Sequence, residues 1–232
     1  MLAAVALAPA AGATGVGSGV AGAARVTAAA PVATLALDRP CYDQSTPAHH
    51  TPLQITGTGF QPNENVQVRA GGLVLAVATA DASGALSTAA FAPTLSTASS
   101  PAPLVRGFAL GAFDAASGQS IAVAPASLMV ATLGLSIAPA TATPHQRVTF
   151  SATGLIPSGA HGTQILYAHY LFRHRTLVTE RLGALDACGS LTTHRELLPT
   201  RTRRGRWTIQ FDPARTYSSR TTPRITDTLT IS

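Results

Sequence analysis

The sequence contains no lysine: all sixteen basic residues are arginine. It is also poor in aromatics, at 5% of 232 residues, and carries one tryptophan and two cysteines. Long stretches with Glu, Lys and Leu at helical spacing are missing, which argues against a helical bundle. No apolar run is long enough, and free enough of Gly and Pro, for a stable membrane span. Gly-x-Ser-x-Gly, a phosphate-binding Gly-rich loop and His-Glu-x-x-His are all absent, and the ten carboxylates are scattered without a paired acid and base at recognisable spacing. The expectation is therefore a protein that is not an enzyme and needs no cofactor. The missing lysine and the excess of alanine fit a genome of high GC content, so arginine abundance alone is not evidence of function.

Turn formers are plentiful, with 20 Gly and 16 Pro spread along the chain. Between them lie short segments that alternate apolar and polar residues, the period of a half-buried strand. Leu53-Gln54-Ile55, Val66-Gln67-Val68 and Trp207-Thr208-Ile209-Gln210-Phe211 show it plainly. Further strands are expected at Val32 to Leu37, Leu73 to Thr79, Gly84 to Phe91, Leu104 to Phe113 and Ser120 to Thr132. After Gly134 they continue at Leu135 to Ala138, Arg147 to Gly154, Ile165 to Phe172, Leu177 to Leu182, Leu191 to Leu198 and Pro223 to Ser232. Asp81-Ala82-Ser83-Gly84 and Asp114-Ala115-Ala116-Ser117-Gly118 read as turns rather than calcium loops, since further oxygen ligands are missing. Many short strands separated by turns predict an all-β protein of sandwich type.

Residues 1–32 are almost wholly small or apolar. Met1 to Ala13 has the pattern of a secretory signal core, although no basic residue precedes it. A disordered or helical low-complexity segment is the competing reading. Export would place Cys41 and Cys188 in an oxidising compartment, where a disulfide between them or two separate thiols both remain open. The expected location is secreted or cell-surface.

The chain repeats itself at a period of about one sandwich. Thr56-Gly57-Thr58-Gly59-Phe60-Gln61-Pro62 is echoed by Ser151-Ala152-Thr153-Gly154-Leu155-Ile156-Pro157. This divides the protein into residues 33–133 and 134–232, with no flexible linker between them. Charge divides the same way. Residues 1–133 hold four Arg against five acids, a net of −1, and residues 134–232 hold twelve against five, a net of +7.

Ile55-Thr56-Gly57-Thr58-Gly59-Phe60-Gln61-Pro62-Asn63 resembles bacterial immunoglobulin-like modules of the IPT/TIG type found on cell surfaces. The C-terminal pieces Tyr167-Ala168-His169-Tyr170, Cys188-Gly189 and Gly205-Arg206-Trp207 resemble uncharacterised exported actinobacterial proteins. The resemblance implies two tandem immunoglobulin-like β-sandwich domains and a surface location. It implies no chemistry, because this fold carries many unrelated functions.

One feature points to a ligand. Arg195, Arg201, Arg203, Arg204 and Arg206 fall within twelve residues, and guanidinium groups so close attract phosphates and carboxylates. The expected partner is a cell-wall polymer or acidic glycan, or an envelope protein. Nucleic acid is disfavoured by export and by the lack of a nucleic-acid fold motif. The competing readings are a structural spacer and a small-ligand-binding sandwich. Trp207 is expected in the core. His49, His50, His145, His161, His169, His174 and His194 lack metal-ligand spacing and are expected in loops and on the surface.

Overall fold

The computed structural model describes residues 32–95, 104–140, 142–156, 163–201 and 203–231. The signal-like Met1 to Ala13, His161 and Pro157 of the repeated motif lie outside the described residues.

The described residues contain strands and turns but no helix, and hence no helix long and apolar enough to cross a membrane. The strands in chain order are β1 (Thr34–Leu37), β2 (Tyr42–Asp43), β3 (Pro52–Thr58), β4 (Asn65–Ala70), β5 (Leu73–Thr79), β6 (Leu86–Phe91), β7 (Val105–Asp114) and β8 (Ser120–Ala131). They continue as β9 (Gly134–Ala138), β10 (Arg147–Thr153), β11 (Ile165–Phe172), β12 (Arg175–Ala184), β13 (Leu191–Glu196), β14 (Gly205–Asp212) and β15 (Ile225–Ile231).

The strands form four sheets, ordered β1-β3-β6, β2-β8-β7-β4-β5, β9-β10-β13 and β12-β11-β14-β15. With β1 matched to β9 and β3–β8 to β10–β15, the two halves have the same strand order. Non-consecutive neighbours such as β4 with β7 and β11 with β14 make each half a Greek key. Three strands face a sheet containing the third, fourth, sixth and seventh of the seven matched strands, which is the immunoglobulin-like sandwich. The extra strand β2 lies parallel to β8 through Tyr42 and Asp43.

Alternation explains the burial. Leu53 and Ile55 of β3 and Val66 and Val68 of β4 are buried in one core with Phe60 and Leu128. Phe150, Tyr170, Trp207, Ile209 and Phe211 fill the other. The halves meet at a third, small cluster in which the Cys41–Cys188 disulfide packs with Ala131, Val105, Met129 and Ile156. The chain crosses between the halves at Thr132 and Leu133. Thr132 is buried. Its Oγ1 accepts the Leu104 N–H (2.9 Å) and its carbonyl accepts the Thr153 hydroxyl (2.7 Å). The connection is thus tied on both sides.

The repeated motif also has a structural partner. Gly59 and Gly154 follow β3 and β10 with φ of 83° and 72°, a region that favours glycine. The next residues, Phe60 and Leu155, are buried and donate their N–H groups to Gly84 and Gly189, each at 3.2 Å. Both acceptors close an Asp-led turn. Asp81 Oδ1 accepts the N–H groups of Ser83 and Ala85, and Asp186 Oδ1 accepts those of Cys188 and Ser190. Cys188 therefore occupies in the second half the place of Ser83 in the first.

Candidate cationic site

The arginine-rich segment is the connection from β13 to β14, and buried side chains hold both of its ends. Leu197 and Leu198 are buried, and their N–H groups donate to the carbonyls of Gln146 (3.0 Å) and Pro144 (2.7 Å). Trp207 is wholly buried, as its place on an alternating strand predicts. Its Nε1–H donates to the Arg203 carbonyl at 2.9 Å, and its ring lies 5.1 Å from that of Phe172. Between these anchors Arg201, Arg203, Arg204 and Arg206 are exposed.

The β11–β12 hairpin supplies the other side of the site. Phe172 pairs with Trp207, so the turn that follows it lies beside the start of β14. Phe172 also pairs with Arg175, leaving Arg173 and His174 as a two-residue turn with φ of 50° and 64°. Positive φ at both positions is the type I′ pattern, for which Asn-Gly is the favoured sequence. Each non-glycine residue held there costs about 1–2 kcal/mol. The Arg173 and Arg203 guanidinium groups lie 5.4 and 5.8 Å from the centre of the Phe172 ring, within cation–π range.

A cavity of about 420 Å³ opens here, lined by Phe172, Arg173, His174, Arg204, Arg206 and Thr208. Among the described residues no carboxylate lines it, and none of Arg173, Arg204 and Arg206 pairs with a carboxylate. A larger hollow of about 520 Å³, between the β3–β4 and β7–β8 connections, includes Glu64 and Asp114 in its lining and repels anions.

The structure separates the five arginines singled out by sequence. Arg204 and Arg206 line the cavity, Arg203 flanks it through Phe172, and Arg201 is exposed on the same connection. Arg195 is engaged elsewhere. Its Nε lies 3.5 Å from Glu180 Oε1, and its Nη2 donates to the Leu182 carbonyl at 3.5 Å. Burial holds the Glu180 carboxyl above the ordinary carboxylate range, against the pull of Arg195 and the Tyr170 hydroxyl. Arg173 and His174 lie outside the cluster of five that sequence singled out for binding, and His174 was expected only as a loop or surface residue. The available signal was a charged dipeptide standing where a hairpin turn needs Gly or Asn.

The expectation that the histidines lie in loops and on the surface fails at His169. This residue points from β11 to the side away from the sandwich core, yet it is fully buried with Asp212, and Gln210 is nearly so. The β14–β15 connection covers them. His169 Nε2 donates to the Ala214 carbonyl (3.0 Å) and lies 3.4 Å from Asp212 Oδ1, while Nδ1 meets the Thr179 hydroxyl at 2.9 Å. Gln210 Nε2 donates to Asp212 Oδ2 (2.6 Å) and to the Ser218 carbonyl (2.8 Å), and Asp212 Oδ1 accepts the Ala214 N–H (2.7 Å). A hydroxyl, an imidazole and a carboxylate are in line, but Asp212 Oδ1 and His169 Nε2 are spent on the covering loop and Asp212 Oδ2 on Gln210. The network secures that loop. His174, by contrast, is exposed at the cavity.

No protein-family profile matches the sequence, and no curated protein does. Among solved structures the chain is similar to the D0–D1 domain of intimin, at 13% identity and a TM-score of 0.28, over 84% of this chain and 96% of that one. A likeness this loose does not bear on function.

Proposed function

We propose that the protein is a non-enzymatic, exported envelope module whose second sandwich holds an anionic wall polymer or acidic glycan. The observation that carries this reading is the cavity that brings Arg173, Arg204 and Arg206 together with no carboxylate among the described residues of its lining. The joined cysteines support an oxidising compartment, in line with the signal-like pattern of Met1 to Ala13. In this reading residues 33–133 and 134–232 are two domains, and the basic one makes the contact. Guanidinium groups match phosphate and carboxylate by paired N–H donors, with a strength that falls as salt rises.

The test is co-sedimentation of the full chain with the host's cell-wall fraction across a salt series. Binding should be strong at low salt. It should weaken at least about tenfold when Arg201, Arg203, Arg204 and Arg206 all become Ser, a change of about 1.4 kcal/mol. Absence of binding at the lowest salt would end the proposal.

A second reading, a rigid spacer, is favoured by the disulfide and by the tied Thr132 crossing. It expects a rod-like pair of domains with no ligand. A small-angle scattering profile of a freely reorienting pair would contradict it.

A further inference from the structure

We infer that the β11–β12 turn and the start of β14 form a clamp for a phosphate oxyanion, with Arg173 and His174 as ligand-contacting residues. This rests on the anion-binding reading above and names the chemistry of that site. Two independent observations lead to it.

The first is conformational. Arg173 and His174 hold φ of 50° and 64° in a two-residue turn, where Asn-Gly would adopt the same backbone with less strain. Strained residues that persist in a well-packed hairpin point to a role for their side chains. Here both residues line the cavity.

The second is stoichiometric. One guanidinium fork satisfies the two coplanar oxygens of a carboxylate. Arg173 approaches from the hairpin, whereas Arg204 and Arg206 come from the facing segment. A phosphate group offers oxygens in several directions, and as a monoester it carries up to two charges. It can therefore be forked from both sides at once. Phe172, packed on Trp207 and flanked by Arg173 and Arg203, holds the two sides in register. A polymer of phosphate groups and the headgroups of an anionic lipid surface present the same chemistry.

The experiment compares the full-length protein with a variant in which Arg173→Asn and His174→Gly restore the favoured turn. Binding is titrated with sodium polyphosphate, with polyglutamate at equal ionic strength, and with phosphatidylcholine vesicles containing phosphatidylglycerol. Polyphosphate should bind at least about tenfold tighter than polyglutamate. The variant should melt roughly 4 °C higher as the turn strain is relieved, yet bind polyphosphate at least about tenfold more weakly. Arg215→Asn, which removes an arginine outside the cavity, should stay within about twofold. Binding to the vesicles but not to polyphosphate would support the clamp with lipid as the phosphate source.

Equal affinity for polyglutamate would overturn the assignment of phosphate. Unchanged polyphosphate affinity in the turn variant would overturn the role of Arg173 and His174 while leaving the anion-binding reading standing. A lower melting temperature in that variant would overturn the strain argument. A parent protein that binds no anion would remove both proposals.

Discussion

Asp43 lies on β2 with its Oδ1 buried and, among the described residues, without a hydrogen-bond partner. Burial pushes its carboxyl up to about 6, opposed only in part by Arg39 and His49. The native state therefore binds the proton more tightly than the unfolded chain, whose carboxyl titrates near its ordinary value of about 4. Linkage then makes this contribution greatest below that value and removes it as pH rises through about 6. Urea midpoints measured from pH 4 to pH 7 should fall in this window for the parent relative to Asp43→Asn, in which the drop disappears. Parallel curves would show that Asp43 is not the group responsible. Trp207 makes a different kind of contribution, because its Nε1–H is the donor that fixes the Arg203 carbonyl. Trp207→Phe leaves that carbonyl unpaired and a void behind the ring, a loss of about 2–4 kcal/mol by urea denaturation. Polyanion affinity should fall with it, because the arginine-bearing connection loses its anchor.

At the scale of elements, the two Asp-led turns show how far the sequence reveals the fold. A Cβ at Gly84 would strike the Phe60 backbone, and one at Gly189 the Leu155 backbone, both at positive φ. Gly84→Ala and Gly189→Ala should each cost more than about 2 kcal/mol by chemical denaturation. Gly118→Ala, also at positive φ but facing open space, should cost only about 1–2 kcal/mol. Similar losses at all three positions would mean that backbone strain, not collision, sets the cost. Strands β3 and β4 were legible because Leu53, Ile55, Val66 and Val68 keep strict alternation and bury one face. The two-residue β2 was not legible, since its backbone pairing with β8 leaves no pattern to detect. The buried Gln210 and Asp212 were also hidden: on an alternating strand they read as the wet face, and only the folded β14–β15 connection covers them. The site was legible in part. Crowding in sequence identified Arg204 and Arg206, but Arg195 is drawn to Glu180 on a strand of the other sheet, a contact that crowding cannot reveal. Arg173 and His174 reach the cavity only through the hairpin.

At the scale of the whole molecule, the disulfide closes 147 residues and joins the two halves beside Ala131. On a chain-entropy account its removal costs about 5 kcal/mol. Cys41→Ser with Cys188→Ser should lower the urea midpoint accordingly, and small-angle scattering should show a broader distribution of shapes. An unchanged profile would mean that the Thr132 crossing alone fixes the arrangement. Net charge alone would give a basic surface that binds anions anywhere, so the decisive comparison holds charge constant. Arg204→Ser with Arg206→Ser removes two cations from the cavity, whereas Arg215→Ser with Arg220→Ser removes two exposed cations from the β14–β15 connection. The measurement is the affinity of each full-length variant for the isolated cell-wall fraction at one low salt concentration. The account predicts a loss of at least about tenfold for the first pair and less than about threefold for the second. Equal losses would show that the protein responds to bulk charge, and would contradict a site at this cavity.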